Sequence, residues 1–238
     1  MRILSLVASF LLVSGLQAQI VAPVPVPWPL GCPIPSTIEN NTQTPFPYTL
    51  CTPFVTDANG QWVSIGICLF AELELAPGET VTTWWDQRDQ NGAPVPPGLY
   101  FVNGVGYVVG AVELGLHPLG SPHVGHERHI ELCATSGANV PYAVGASFSS
   151  QFGIPLGCGV HLPLDYDLLL VDSLTNAAVF PDFVGVLDGD GRSSAPAIVL
   201  PPLPFLIGVS FDLAFVTLDP GAPCGFGRTS APMTVEIR

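Results

Sequence analysis

Proline and glycine interrupt this chain so often that little of it could hold a helix. The 238 residues contain 26 Pro and 25 Gly, and a proline inside a helix removes a hydrogen bond and clashes with the preceding turn. No window of eleven or more residues shows a 3.6-residue apolar period. Between the breaks lie short alternating or apolar runs, the pattern of half-buried and buried strands. About thirteen strands are expected, near Tyr48–Thr56, Trp62–Leu69, Ala71–Leu75, Thr80–Trp85, Gly98–Val102, Tyr107–Leu114, Arg128–Cys133, Tyr142–Ser149, Leu168–Asp172, Val179–Leu187, Ala197–Leu200, Gly208–Asp219 and Met233–Ile237. The spacing predicts an all-β chain of two small β-sandwich domains. A boundary near Ser136-Gly137-Ala138-Asn139 divides it into residues 37–136 and 137–238, each of a common domain size. Ahead of them, residues 19–36 place Pro at every second position for part of their length, which predicts an extended linker or an edge-strand arm.

Met1-Arg2, the apolar run Ile3 to Leu16 and Gln17-Ala18-Gln19 have the order of a secretory signal: charged start, apolar core, small residue for cleavage. The core is shorter than the roughly 20 residues that span a bilayer, so cleavage near Ala18 is expected. The apolar stretch Ala195 to Val209 is broken by Pro196, Pro201, Pro202 and Pro204, and no transmembrane segment is expected there. All six cysteines follow the cleavage point, and an even count in an exported chain predicts disulfides. No two have Cys-x-x-Cys spacing, against a zinc ribbon or a thioredoxin-like site.

The turn Asp57-Ala-Asn-Gly60 permits one pairing to be derived. If Asn59-Gly60 is a two-residue loop, paired residue numbers sum to 119 and Cys51 faces Cys68 at a non-hydrogen-bonded site. A three-residue loop with a bulge would turn Cys68 to the other face. Cys158 and Cys224, both in turn-rich surroundings, form the second expected pair, which leaves Cys32 with Cys133.

Leu75-Ala-Pro-Gly-Glu-Thr-Val81, Trp84-Trp-Asp86 and the run through Asn91-Gly92 to Pro97-Gly-Leu-Tyr100 carry a resemblance over about residues 37 to 115. This stretch resembles the immunoglobulin-like module of the flagellar hook-capping family and the β-sandwich of the bacterial intracellular proteinase inhibitor family. The first resemblance implies an immunoglobulin-like fold. The second implies an inhibitor presenting a rigid loop such as Gln90 to Pro97, although the name of that family denotes a cytoplasmic role. The second half, with Tyr142-Ala-Val-Gly, Leu162-Pro-Leu-Asp-Tyr-Asp and Gly185-Val-Leu-Asp-Gly-Asp-Gly, resembles an uncharacterised C-terminal β module of secreted bacterial proteins. That resemblance implies architecture and no activity.

Candidate sites are few. Alternation along Val81 to Trp85 puts Trp85 inside and Trp84 outward, where its ring could stack on a sugar or a partner's side chain, or lie on a neighbouring strand. His117, His123, His126 and His129 fall within thirteen residues; His123, His126 and His129, with Glu127 and Glu131 nearby, could hold zinc or copper if the segment folded back. The same run also fits an edge strand with His129 and Glu131 in solvent. There is no Gly-x-Ser-x-Gly elbow, Walker loop, dinucleotide fingerprint or helical His-Glu-x-x-His. Asp188-Gly-Asp-Gly191 begins like an EF-hand loop but has Val199 where a bidentate Glu is required. The paired carboxylates Asp86/Asp89, Asp165/Asp167 and Asp188/Asp190 sit in turns or at strand ends.

Charge narrows the partners. Six Arg and no Lys stand against nineteen acidic residues, a formal charge of -13 that becomes -14 when Arg2 leaves with the signal peptide. No basic patch exists to meet a nucleic-acid backbone. The expectation is therefore a secreted or cell-surface, non-catalytic structural or interaction protein without a cofactor, meeting protein or polysaccharide. A proteinase inhibitor and a histidine-cluster metal binder are the alternatives.

Overall fold

Three tight turns of one design set much of the strand order. Asp57, Asp89 and Asp188 each begin an Asp-x-Asn/Asp-Gly turn. In each the Asp Oδ1 accepts backbone N–H groups two and four residues on, at 2.8–2.9 Å. The turn glycines Gly60, Gly92 and Gly191 have φ of 74 to 78°, a region in which a side chain is strained.

The computed structural model describes Val26–Arg238; the expected signal peptide and residues 19–25 of the Pro-rich arm lie outside the described residues. The first half contains β1 (Val26–Trp28), β2 (Ile34–Glu39), β3 (Phe46–Cys51), β4 (Val55–Asp57), β5 (Trp62–Ser64), β6 (Cys68–Leu75), β7 (Thr80–Trp85), β8 (Gly98–Val102) and β9 (Val105–Val109). Next come β10 (Leu114–Pro118), β11 (Glu127–Ala134), β12 (Pro141–Ser147), β13 (Ile154–Gly157), β14 (Val160–Leu162) and the helix α1 (Leu168–Thr175). The last strands are β15 (Val184–Val186), β16 (Arg192–Ser193), β17 (Ala197–Val199), β18 (Ser210–Leu218), β19 (Phe226–Thr229) and β20 (Met233–Glu236). The fold is all-β, with one short α-helix among the described residues.

The sheets stack in layers. The first is β1-β9-β8-β4-β5, accompanied by the two-stranded ribbons β2–β7 and β3–β6. The second is β10-β11-β16, with β17 also on β11; the third is β15-β12-β18-β19, with β20 also on β18. The second layer is buried on both faces, because successive strand residues point to opposite sides. Leu114, Leu116, Ile130, Leu132 and Ala134 join Val144, Leu213 and Phe215 of the third layer in one core. Cys133 points the other way, into the core of Trp28, Ile34, Val55, Trp85 and Tyr107. At Gly115 an added Cβ would lie 2.6 Å from Pro29 and 3.0 Å from Trp28, so the first layer sits directly on the backbone of the second. On the far side of the third layer, Leu170 of α1 packs with Leu162, Leu164, Ala214 and Val216. Side chains on both sides of residue 137 thus share one core.

Several expected elements differ. Leu168–Asp172 is not a strand but the first turns of α1, because Asp167 caps it: its Oδ1 accepts the N–H of Leu170 at 2.8 Å and satisfies a donor that a helix leaves open. Val179–Leu187 contributes only Val184–Val186. Three long expected strands are each split in two. At one split, Gly66, an added Cβ would meet the Thr52 carbonyl and the Phe54 ring, so the chain crosses itself where a strand with side chains could not continue. The Pro-rich arm is not a linker where it is described. β1 lies parallel to β9 at the sheet edge, pairing Pro27 with Val108, and an edge tolerates a residue without N–H. Trp28 is fully buried, its Nε1–H donating to the Cys32 carbonyl at 2.9 Å. Strands β13, β14 and β19, which the sequence reading omits, form hairpins around short glycine turns.

Three disulfides close the frame: Cys32–Cys133, Cys51–Cys68 and Cys158–Cys224. The first spans 101 residues and joins the first layer to the second.

Candidate functional site

The residues singled out as binding or metal ligands lie in the seam between the first and second layers. Trp84 stands on β7 opposite the buried Trp85, and its ring is not free. The Arg192 guanidinium lies 4.8 Å from its centroid, a cation–π contact. Arg192 also grips Glu131 Oε1, with Nη2 at 2.7 Å and Nε at 2.8 Å. The Glu131 side chain is 1% exposed, not in solvent as alternation on an edge strand suggested, because β11 has a layer on each face. Burial pushes its carboxyl up to about 7, against the opposing pull of Arg192, and Asp188 adds to the rise. Its second oxygen has no hydrogen-bond partner. Directly across the ladder stands His117, packed edge-on against Trp28 and tilted against Tyr107. Its Nδ1 is sealed off without a partner, and burial pushes the imidazole down to about 4.

A second polar knot lies along the same seam. Glu39, at the end of β2, receives Arg128 Nη2 at 3.0 Å and the Ser121 N–H at 3.3 Å. His123 Nε2 comes within 3.0 Å of the same carboxylate, an ion-pair approach without hydrogen-bond alignment. Arg128 also donates to the carbonyls of Gly78 and Ser121 at 2.7 and 2.9 Å. The His126 ring lies over Gly78, where a Cβ would be 3.3 Å away. His129 is half-exposed beside Glu127 at 3.7 Å. His123 and His126 therefore face the Pro-Gly-Glu turn and Glu39, while His129 turns away. Among the described residues no three His, Cys, Asp or Glu side chains gather as metal ligands.

The remaining carboxylate pairs serve local geometry. Hydrogen bonds from backbone N–H groups hold Asp57 and Asp89 below the usual carboxylate range. Asp165 accepts the Ser149 hydroxyl and the N–H groups of Gly153, Phe152 and Gln151, which pull it down to about 2. The candidate inhibitor loop is curled: the Asp89 N–H donates to the Ala93 carbonyl, Arg88 Nη1 holds the Gly92 carbonyl, and Val95 is buried.

What the sequence reading missed is apolar surface. Phe148, Phe152, Tyr166 and Leu168 are 60, 82, 79 and 87% exposed, on backbone fixed by Asp165 and Asp167. Asp167 Oδ2 accepts the Phe148 N–H at 2.7 Å and the Ser147 hydroxyl at 2.9 Å. A groove runs between Phe148 and α1, lined by Leu168, Leu169, Val171, Asp172 and Thr175. A second exposed set, Phe54, Trp62, Ile65, Ile67 and Leu69, surrounds the Cys51–Cys68 bridge. The signal available for the groove was Asp167, a capping residue directly before Leu168-Leu-Leu-Val.

The sequence matches no family model and no curated protein. Among the described residues no helix is long and apolar enough to cross a membrane.

Proposed function

We propose that the protein is an exported, non-catalytic interaction or structural protein that meets protein or polysaccharide at the cell surface or outside the cell. One observation carries this reading: the exposed Phe148 and Leu168 line one apolar groove, on backbone pinned by the hydrogen bonds of Asp167. Apolar residues scattered singly over a surface need no explanation, whereas a contiguous set marks a contact site. A rigid site loses less entropy on binding, so more of the contact energy appears as affinity. Six cysteines paired as three disulfides fit an oxidising compartment, and the expected signal peptide and the resemblance to secreted β modules point the same way.

The experiment is export of the full chain by a secreting host, followed by incubation of the processed protein with envelopes of the producing bacterium. The expected result is a chain starting near Gln19 with no free thiol, retained by the envelope, and released when Phe152 and Leu168 are both changed to Ser. Cytoplasmic, reduced protein, or retention indifferent to those substitutions, would overturn the reading.

A further inference from the structure

Building on the interaction reading, we propose that the groove between α1 and Phe148 takes a cationic amphipathic peptide segment, apolar on one side and bearing Lys or Arg beside it. The shape comes from the helix. Asp167 starts α1 so that Leu170 and Ser173 turn inward, and residues three apart share a helix face. Leu168, Val171 and Leu174 then form an outward row, 87, 39 and 46% exposed. Phe148 makes the facing wall. A row of aliphatic side chains against an aromatic wall suits the apolar stripe of a second helix. It offers a sugar few hydrogen-bond partners.

Charge selects the flanks of that occupant. Three carboxylates stand at or beside the groove: Asp172 in its wall, Asp167 at the start of α1 and bonded to the Phe148 N–H, and Asp165 bonded to the Ser149 hydroxyl. Asp172 stands in the groove wall itself, its only side-chain partner among the described residues the Asn176 amide at 3.2 and 3.4 Å. Asp165 accepts the N–H groups of Phe152 and Gly153, which with the Ser149 hydroxyl pull its carboxyl down to about 2, and Asp167 accepts those of Phe148 and Leu170. Elsewhere Arg88, Arg128, Arg192 and Arg228 are already paired with Asp86, Glu39, Glu131 and Glu113. Among the described residues no Arg is ion-paired with Asp165, Asp167 or Asp172, and the acidic rim repels anionic lipid as well as a second copy of the same face. An apolar floor with an acidic rim is complementary to an apolar ridge with basic flanks.

The test is fluorescence anisotropy of the mature, oxidised protein with a labelled amphipathic Leu/Lys peptide at physiological ionic strength, beside the Leu/Glu peptide of the same pattern. The Leu/Lys peptide is expected to bind and the Leu/Glu peptide not to. Leu168→Ser with Val171→Ser should weaken binding about tenfold or more, and Asp172→Asn should weaken it less and flatten its salt dependence. Both leucine and valine are exposed, so the double variant keeps its fold, which its unchanged unfolding midpoint would show. Ile67→Ser, on the other apolar surface, should leave binding unchanged. Absence of Leu/Lys binding, or binding that survives the groove substitutions, would overturn the proposal, the latter by showing attraction to net charge alone. Such a failure alongside envelope retention that still depends on Phe152 and Leu168 would reject the peptide and leave the interaction reading standing.

Discussion

Glu131 and His117 face each other across one ladder position and should impose opposite pH dependences on stability. The Glu131 carboxyl is raised from 4.5 to about 7, so the folded state holds its proton more tightly than the unfolded chain. Stability from this group is greatest below 4.5 and declines as pH rises toward 7, by about 3 kcal/mol at 1.36 kcal/mol per unit. His117 is lowered from 6.5 to about 4, so the unfolded chain takes up the proton first. Its contribution is full above 6.5 and declines as pH falls toward 4, by about 2 kcal/mol once the solvent-facing part of the ring is allowed for. Between pH 4.5 and 6.5 the two slopes oppose and largely cancel. Glu131→Gln should unmask the histidine, making the variant lose stability relative to wild type on acidification. His117→Gln should do the reverse, losing stability relative to wild type as pH rises. Urea unfolding of the oxidised protein at several pH values reads these slopes directly. Parallel wild-type and variant curves, or slopes of the other sign, would refute the reasoning.

Three further outcomes follow from the seam. Trp84→Ala removes the face on which Arg192 rests and should cost about 1 kcal/mol in chemical unfolding without changing the β-sheet circular dichroism. Replacing Cys32 and Cys133 by Ser frees a 101-residue loop, against 17 residues for Cys51 and Cys68. The first pair of substitutions should therefore be costlier by roughly 1–2 kcal/mol in the same assay. Gly115→Ala forces a methyl group into Pro29 and Trp28 and should lower stability by about 1–3 kcal/mol; an unchanged unfolding midpoint would mean the layers are not packed as tightly as described.

The hairpin at Asp57 shows how a register can be read correctly through a turn read wrongly. The two-residue loop at Asn59-Gly60 is in fact a three-residue loop, in which Asp57 N–H donates to the Gln61 carbonyl and Thr56 pairs with Trp62. A register shift between Val55 and Thr56 then brings Val55 opposite Ser64, restoring the sum of 119 at which Cys51 meets Cys68. Local turn chemistry was legible, but the compensating irregularity was not. Alternation likewise gave the two faces of β11 without revealing that a layer covers each, so neither the burial of Glu131 nor the sealed Nδ1 of His117 could be recognised. Trp84 was correctly placed opposite Trp85, but its cover is Arg192, 108 residues later and invisible to any local pattern. The apolar groove was hidden by the strand expectation for Leu168–Asp172, which weighed the apolar run above the capping Asp167.

One paired measurement separates a structural role for the seam from the contact role proposed for the exposed apolar surface. Unfolding free energy and envelope retention would be measured together for Trp84→Ala and for Phe152→Ser with Leu168→Ser. Trp84→Ala is expected to be destabilised yet fully retained, while the surface variant is expected to be as stable as wild type and released. Release of Trp84→Ala at a temperature where it is folded, with the surface variant still bound, would contradict these roles.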